Sequence, residues 1–246
     1  MSTNMDMRIS GSGKVPAGEY NRVSVSGSGS LYGMVRCESF SSSGASHGEH
    51  IECSDTFKIS GASSFSGDVK ANHIGVSGSF SCGGDLVAEE KLSCAGSVKC
   101  KGSVKGNQLS VAGALKVRGD VEGEMVKVSG ILNCDGLLNA EEIEIKFEKE
   151  MEIGSIGGSK IVIFPKYAER PIRRIPLFSK LTKHAVAGVA VKNSIEGDEI
   201  ALEGVVCPRV TGRVVAIERG CNIDLVQYSE TVEISSDAKV GRTEKI

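Results

Sequence analysis

The feature that most constrains this chain is a pair of glycine columns. Gly27, Gly44, Gly61, Gly78, Gly96, Gly113 and Gly130 follow one another at intervals of 17, 17, 17, 18, 17 and 17 residues. Six places after each comes a second column: Gly33, His50, Gly67, Gly84, Gly102, Gly119 and Gly136, broken only by His50. Self-similarity at a fixed short period is the signature of a repeat architecture in which each unit buries its apolar face against the next.

Inside one period, two apolar residues at i and i+2 are followed by Gly or a polar corner residue at i+4, and the unit restarts at i+6. The stretch from 109 reads Leu109, Val111, Gly113; Leu115, Val117, Gly119; Val121, Gly123. Alternation with period two places each apolar pair on one face of a short strand. Glycine tolerates positive φ, so the expected role of both columns is to bend the chain sharply. Two six-residue units and one of five make 17; where the period is 18, Glu89 is the extra residue. The third corner carries Asn21, Glu38, Asp55, Asn72, Glu90, Asn107, Glu124 and Glu141, polar residues suited to a bend in solvent. Three strands and three bends per period predict an all-β, triangular, single-stranded parallel β-helix of 17–18 residues per turn. Equivalent strands then lie about 4.8 Å apart.

This organisation sets the expected boundaries. Residues 1–20 read as a flexible tail, 21–163 as the regular coil, and 164–184 as a basic, proline-containing insert. Residues 185–234 read as further, less regular turns, with Ile200, Leu202 and Gly204 restoring the spacing, and 235–246 as a polar tail. The balance of 29 Lys+Arg against 31 Asp+Glu gives no sign of nucleic-acid binding. The start of the chain carries no apolar signal segment, so a cytoplasmic location with reduced thiols is expected.

Several local features invite a chemical reading. Cys82, Cys100 and Cys134 share one apolar column, Cys94 lies in another and Cys37 in a third, so these thiols read as small core hydrophobes. His47, His50 and Cys53 are the nearest approach to a metal set, but Ile51 and Cys53 are out of phase with the columns, and a local bulge with solvent-facing histidines is expected. Arg118-Gly119-Asp120 is accounted for by the glycine column. Gly11 to Lys14 lacks the residues of a phosphate loop and falls in the expected tail. Asp68, Asp85 and Asp120 follow the second column and read as solvated turn residues, with a cation ladder as the alternative. No catalytic, cofactor-binding or metal residues are assigned.

The insert carries Lys166, Arg170, Arg173, Arg174, Lys180 and Lys183 against Glu169, interleaved with apolar residues such as Phe178. Its apolar side is expected to pack on the rod with the charges solvated. The alternative is contact with an anionic lipid surface, at the inner face of the membrane, or with a cell-envelope protein.

The repeats "VSGSGSLYG", "ISGASSFSGDV", "VSGSFSCGGDL", "VAGALKVRGDV" and "VSGILNCDGLL" resemble the bactofilins, bacterial polymer-forming cytoskeletal proteins, over about 21–163. The extra carboxy-terminal part looks like a longer Gram-positive-type variant. The resemblance implies a right-handed β-helix that polymerises end to end, without nucleotide, into nonpolar filaments. Such filaments serve as scaffolds for cell shape, motility or the placing of other proteins. The competing readings are a left-handed β-helix hexapeptide acyltransferase and a capped monomeric β-helix that binds a partner. The acyltransferase places its small residues differently around the inward aliphatic, and needs a histidine between coils where His73 offers only an outward corner position. A scaffold rather than an enzyme, without cofactor and with itself as partner, is therefore expected. A β-helix ends in open rows of backbone donors and acceptors. Self-association is predicted through the terminal turns, with Val23, Val25 and Leu31 near one end and Ile223 and Leu225 near the other.

Overall fold

The computed structural model describes residues 5–166 and 188–246. Every strand among them is paired in parallel with its equivalent in the next coil, in one continuous ladder of 22 strands. They are β1 (Met5–Ile9), β2 (Ser12–Val15), β3 (Gly18–Val25), β4 (Ser28–Leu31), β5 (Met34–Ser42), β6 (Ala45–Gly48) and β7 (His50–Ile59). Next come β8 (Ala62–Phe65), β9 (Val69–Val76), β10 (Ser79–Cys82), β11 (Leu86–Cys94), β12 (Ser97–Cys100), β13 (Val104–Val111), β14 (Ala114–Val117) and β15 (Val121–Val128). The carboxy-terminal part holds β16 (Ile131–Phe147), β17 (Met151–Pro165), β18 (Val189–Val191), β19 (Ser194–Leu202), β20 (Val205–Ile217), β21 (Asn222–Ile234) and β22 (Lys239–Lys245). No helix among the described residues is long and apolar enough to cross a membrane.

The predicted parallel β-helix is the fold observed, a β-solenoid of about 13 coils. One inward column traces it from end to end through register partners. It runs Ile9, Val25, Ser42, Ile59, Val76, Cys94, Val111, Val128, Ile145, Ile163, Leu202, Ile217 and Ile234. At about 4.8 Å per coil, twelve steps give a rod on the order of 60 Å long. The extra residue at Glu89 is absorbed as a bulge, since both ladders of β11 shift register between Ala88 and Lys91.

Both expected tails are corrected. Met5–Ile9 and Ser12–Val15 stack under β3 and β4, with Met7 opposite Val23 and Val15 opposite Leu31. They complete a first coil because Met7, Ile9 and Val15 keep the inward alternation. At the other end Lys239–Lys245 pairs with β21, placing Val240 on Ile223. The expected insert is narrower at its start: Phe164 and Pro165 finish β17, opposite Lys146 and Phe147.

The first glycine column has a different cause from the one its spacing suggested. The positive φ values belong to Gly18, Gly33, Gly204 and Gly220, not to the column glycines from Gly27 to Gly130. What excludes a side chain is close approach: an added Cβ at Gly113 would overlap the carbonyl oxygen of Gly96 one coil below, and each column glycine meets its predecessor in the same way. The corners nest so tightly that only a residue without Cβ fits.

Core volume is balanced between faces. Phe40 and Phe57 stack at 5.1 Å between ring centroids, and Phe65 meets both edge-on. The same coils carry Ser46, Gly48 and Ser63 at inward positions that hold Phe80, Phe65 and aliphatics in later coils. Rings from one face take up the space left on another, as close packing requires. Ser46 and Ser63 satisfy each other through hydroxyls 2.6 Å apart, whereas the buried hydroxyl of Ser42 has no hydrogen-bond partner among the described residues.

Three substitutions test this account by denaturant unfolding. Gly113→Ala should cost about 3 kcal/mol or more, because the corner cannot yield without displacing backbone. Gly75→Ala, where a Cβ meets open space, should change stability by less than about 1 kcal/mol. Ser42→Ala, which removes an unsatisfied buried polar group, should raise stability by about 1 kcal/mol. A drop there would show that the hydroxyl is satisfied after all.

Candidate functional site

The two ends of the coil are the places where the repeat stops satisfying itself. Strand β1 has one partner, β3; β2 has one partner, β4; and β22 pairs only with β21. Their outer edges leave backbone donors and acceptors without a partner strand among the described residues. Among the described residues the most exposed large apolar side chains lie at the ends, Met5 at 67% and Ile246 at 65%. In the first coil Met7 is half-buried, while Ile9, Val15 and Tyr20 are buried, and the Tyr20 hydroxyl donates to the Pro16 carbonyl at 2.9 Å. In the last coil Val232, Ala238 and Val240 are partly buried, and Ile234 lies exposed.

The residues expected to form the ends are therefore one coil too far inside. Val23, Val25 and Leu31 are buried between the first coil and the third. Ile223 is buried beneath Val240, and Leu225, expected to be its inward companion, is only half-buried because Val226 takes that place. Of the basic residues expected to contact a membrane or partner, Lys166 lies exposed, 2.9 Å from Glu148. Arg170, Arg173, Arg174, Phe178, Lys180 and Lys183 fall outside the described residues.

The corner after the second glycine column carries a device that spacing alone did not reveal. The Asp68 carboxylate accepts the Asp85 N–H at 2.9 Å, Asp85 accepts the Ser103 N–H at 2.8 Å, and Asp120 accepts the Leu137 N–H at 2.8 Å. The Ser103 hydroxyl accepts the Asp120 N–H, and the ladder begins where His50 Nδ1 accepts the Asp68 N–H at 3.1 Å. Asp68 and Asp85 are exposed to solvent, as expected, but each side chain of the ladder also takes up a corner N–H of the next coil. The column glycine of that next coil must be Gly because the ladder side chain occupies the place of its Cβ, as at Gly84 over Asp68 and Gly102 over Asp85. Asp120 of the Arg118-Gly119-Asp120 triplet belongs to this ladder.

The other tempting groups are dispersed. His47 bonds the Ser64 hydroxyl at 2.8 Å, His50 serves the ladder, and the Cys53 thiol lies 3.6 Å from that of Cys37, so the three do not converge. The expected bulge is present: β7 shifts register between Glu52 and Thr56 against β9. His73 faces Glu90 at 3.3 Å on the surface. Outward charges pair between coils, as Arg36 with Glu52 at 3.2 Å and Lys105 with Glu122 at 2.7 Å. Being exposed, such pairs add little stability each.

All eight cysteines are buried and unbridged. Burial pushes the thiols of Cys94, Cys134 and Cys207 up to about 11. The Cys53 thiol is raised by its hydrogen bond to Cys37, then by burial. At neutral pH these groups are thiols rather than thiolates, which suits packing better than nucleophilic chemistry.

Comparison with protein-family models, with curated proteins and with solved structures returns no match.

The ladder predicts a contrast. Asp85→Ala should lower stability by about 1 kcal/mol by stripping the Ser103 N–H of its acceptor, whereas Asp85→Asn, which keeps an oxygen in place, should recover most of that loss. Equal losses in chemical denaturation would assign the effect to charge instead.

Proposed function

We propose that this chain is a structural scaffold that assembles end to end through its terminal coils, without nucleotide. The observation that carries this reading is that, among the described residues, the strand edge at each end is unpaired while the strands between are paired on both sides. Joining two ends repeats the contact already made twelve times inside the rod, so it needs matching edges and no new chemistry. Lasting filaments of this kind would serve as a cytoskeletal support for cell shape, motility or the placing of other proteins, as the resemblance to bactofilins implies.

The registers also say what opposes assembly. Followed coil by coil, the outward column of Lys14 ends at Lys239, that of Glu19 at Glu244, and that of Arg8 at Glu233. A second copy continuing the stack in the same register sets two like-charge pairs against one opposite pair. Like charges directly opposite across a ladder destabilise it, and salt screens them. Head-to-tail assembly should thus strengthen with ionic strength. Joining of like ends, which the resemblance implies, brings neither Lys14 to Lys239 nor Glu19 to Glu244.

Sedimentation and negative-stain microscopy of the pure protein test the proposal. Met7→Asp and Val240→Asp, in the first and last coils, should abolish assembly while leaving the β spectrum intact. Val111→Asp, in the middle of the core, should unfold the rod. Monomers persisting at high concentration in the unmodified protein would overturn the scaffold reading. Lys239→Glu should lower the concentration needed for assembly several-fold at low salt if ends join head to tail, and leave it unchanged if like ends meet.

A further inference from the structure

Among the eight thiols, Cys37 and Cys53 stand apart. They are direct register partners in β5 and β7, and their sulfurs face each other at 3.6 Å. Cys82 and Cys100 are also register partners whose thiols interact, but each also donates to a carbonyl oxygen of the neighbouring corner, Gly67 at 3.3 Å and Gly84 at 3.2 Å. Cys37 and Cys53 are also the two most solvent-touched cysteines, at 6% and 3%, and both form part of the wall of a surface groove bordered by Tyr20, Arg36, Glu52 and Lys70.

The backbone around them suits closure of a bond. Register partners on adjacent parallel strands have Cα atoms about 4.8 Å apart, within the roughly 4.4–6.8 Å span of disulfides. The ladder between β5 and β7 shifts register just past the pair, between Cys37 and Ser39, and resumes with Ser39 opposite Thr56.

We propose that Cys37 and Cys53 form an oxidisable dithiol that closes to an inter-coil disulfide when a peroxide enters the groove above them. The Cys37 sulfur attacks one peroxide oxygen, the O–O bond breaks, and Cys37 becomes a sulfenic acid as the departing hydroxide takes up the thiol proton as water. The Cys53 thiol then gives up its proton as its sulfur attacks the Cys37 sulfur. The S–S bond forms, the S–O bond breaks, and the departing hydroxide carries off the second proton as water. Two thiols are oxidised and one hydrogen peroxide is reduced to two waters. The product ties the third coil to the fourth, a covalent staple across a ladder otherwise held by hydrogen bonds.

The test is titration of the folded, reduced full chain with hydrogen peroxide, followed by non-reducing peptide mapping. A Cys37–Cys53 linkage should form before any other modification, and the oxidised rod should unfold at a higher temperature than the reduced one. Cys53→Ser should abolish the linkage and leave a sulfenic acid at Cys37 that dimedone traps. The proposal is overturned if another pair closes first. It is equally overturned if oxygen adducts accumulate without the 37–53 linkage, or if the folded chain stays unreacted under conditions that oxidise the urea-unfolded one. Should the serine variant fail to fold, the mapping of the unmodified chain decides alone.

Discussion

The structure depends on how closely one coil can approach the next at its corners. Parallel strands in register fix a spacing of about 4.8 Å along the faces, and the corners must meet the same spacing while turning. At the first corner this brings the carbonyl oxygen of one glycine to where the Cβ of the next would stand. At the second, a side-chain oxygen from the coil below reaches past the glycine to a backbone N–H above. Glycine is thus required on steric grounds at both corners, for two different reasons. The third corner faces solvent with residues such as Glu38 and Glu124, yet its later coils meet the first demand as well, since an added Cβ at Gly197 would overlap the Gly158 carbonyl oxygen.

Around that constraint the core behaves as a stack of interchangeable layers. Each layer contributes inward side chains from three faces, and a large residue on one is offset by a small residue on another. The aromatic cluster of Phe40, Phe57, Phe65 and Phe80 beside Ser46, Gly48 and Ser63 is the clearest instance. The chain has no tryptophan and seven phenylalanines, consistent with a narrow interior filled mostly by Val, Ile, Leu and Cys. Stability is then close to a sum over neighbouring layers, and the ends are where that sum is left incomplete.

Much of this was legible in the residues because spacing encodes it directly. Period, number of faces, bulge positions and inward columns all follow from where glycines and aliphatics recur. The limits of the coil were missed for a physical reason. At the amino end the segment "ISGSGKV" repeats the pattern of "VSGSGSL", but its spacing is 16, and Gly13 stands in an inward column that holds Gly29, Ser46 and Ser63 in the next coils and a large apolar residue only from Phe80 on. At the carboxy end Val240 stands between Lys239 and Gly241 in a polar stretch, so alternation fades although backbone pairing continues. The Asp ladder was invisible for another reason. A carboxylate bound to a backbone N–H seventeen residues away looks, in the sequence, like any polar turn residue. The conformational role first expected of the glycines also shows that a residue type can be read correctly and its cause misread.

The interruption between Lys166 and Gly188 has a bearing on how such rods diversify. On its two sides Ile161 still sits opposite Ile200, and Met151 opposite Val189, as though the 21 intervening residues had never been spliced in. The corner between these two faces is therefore a permissive docking port in the architecture. Any sequence whose ends can be brought together there could be displayed on the shaft, at a chosen height and on a chosen edge, without the layers above or below registering its presence.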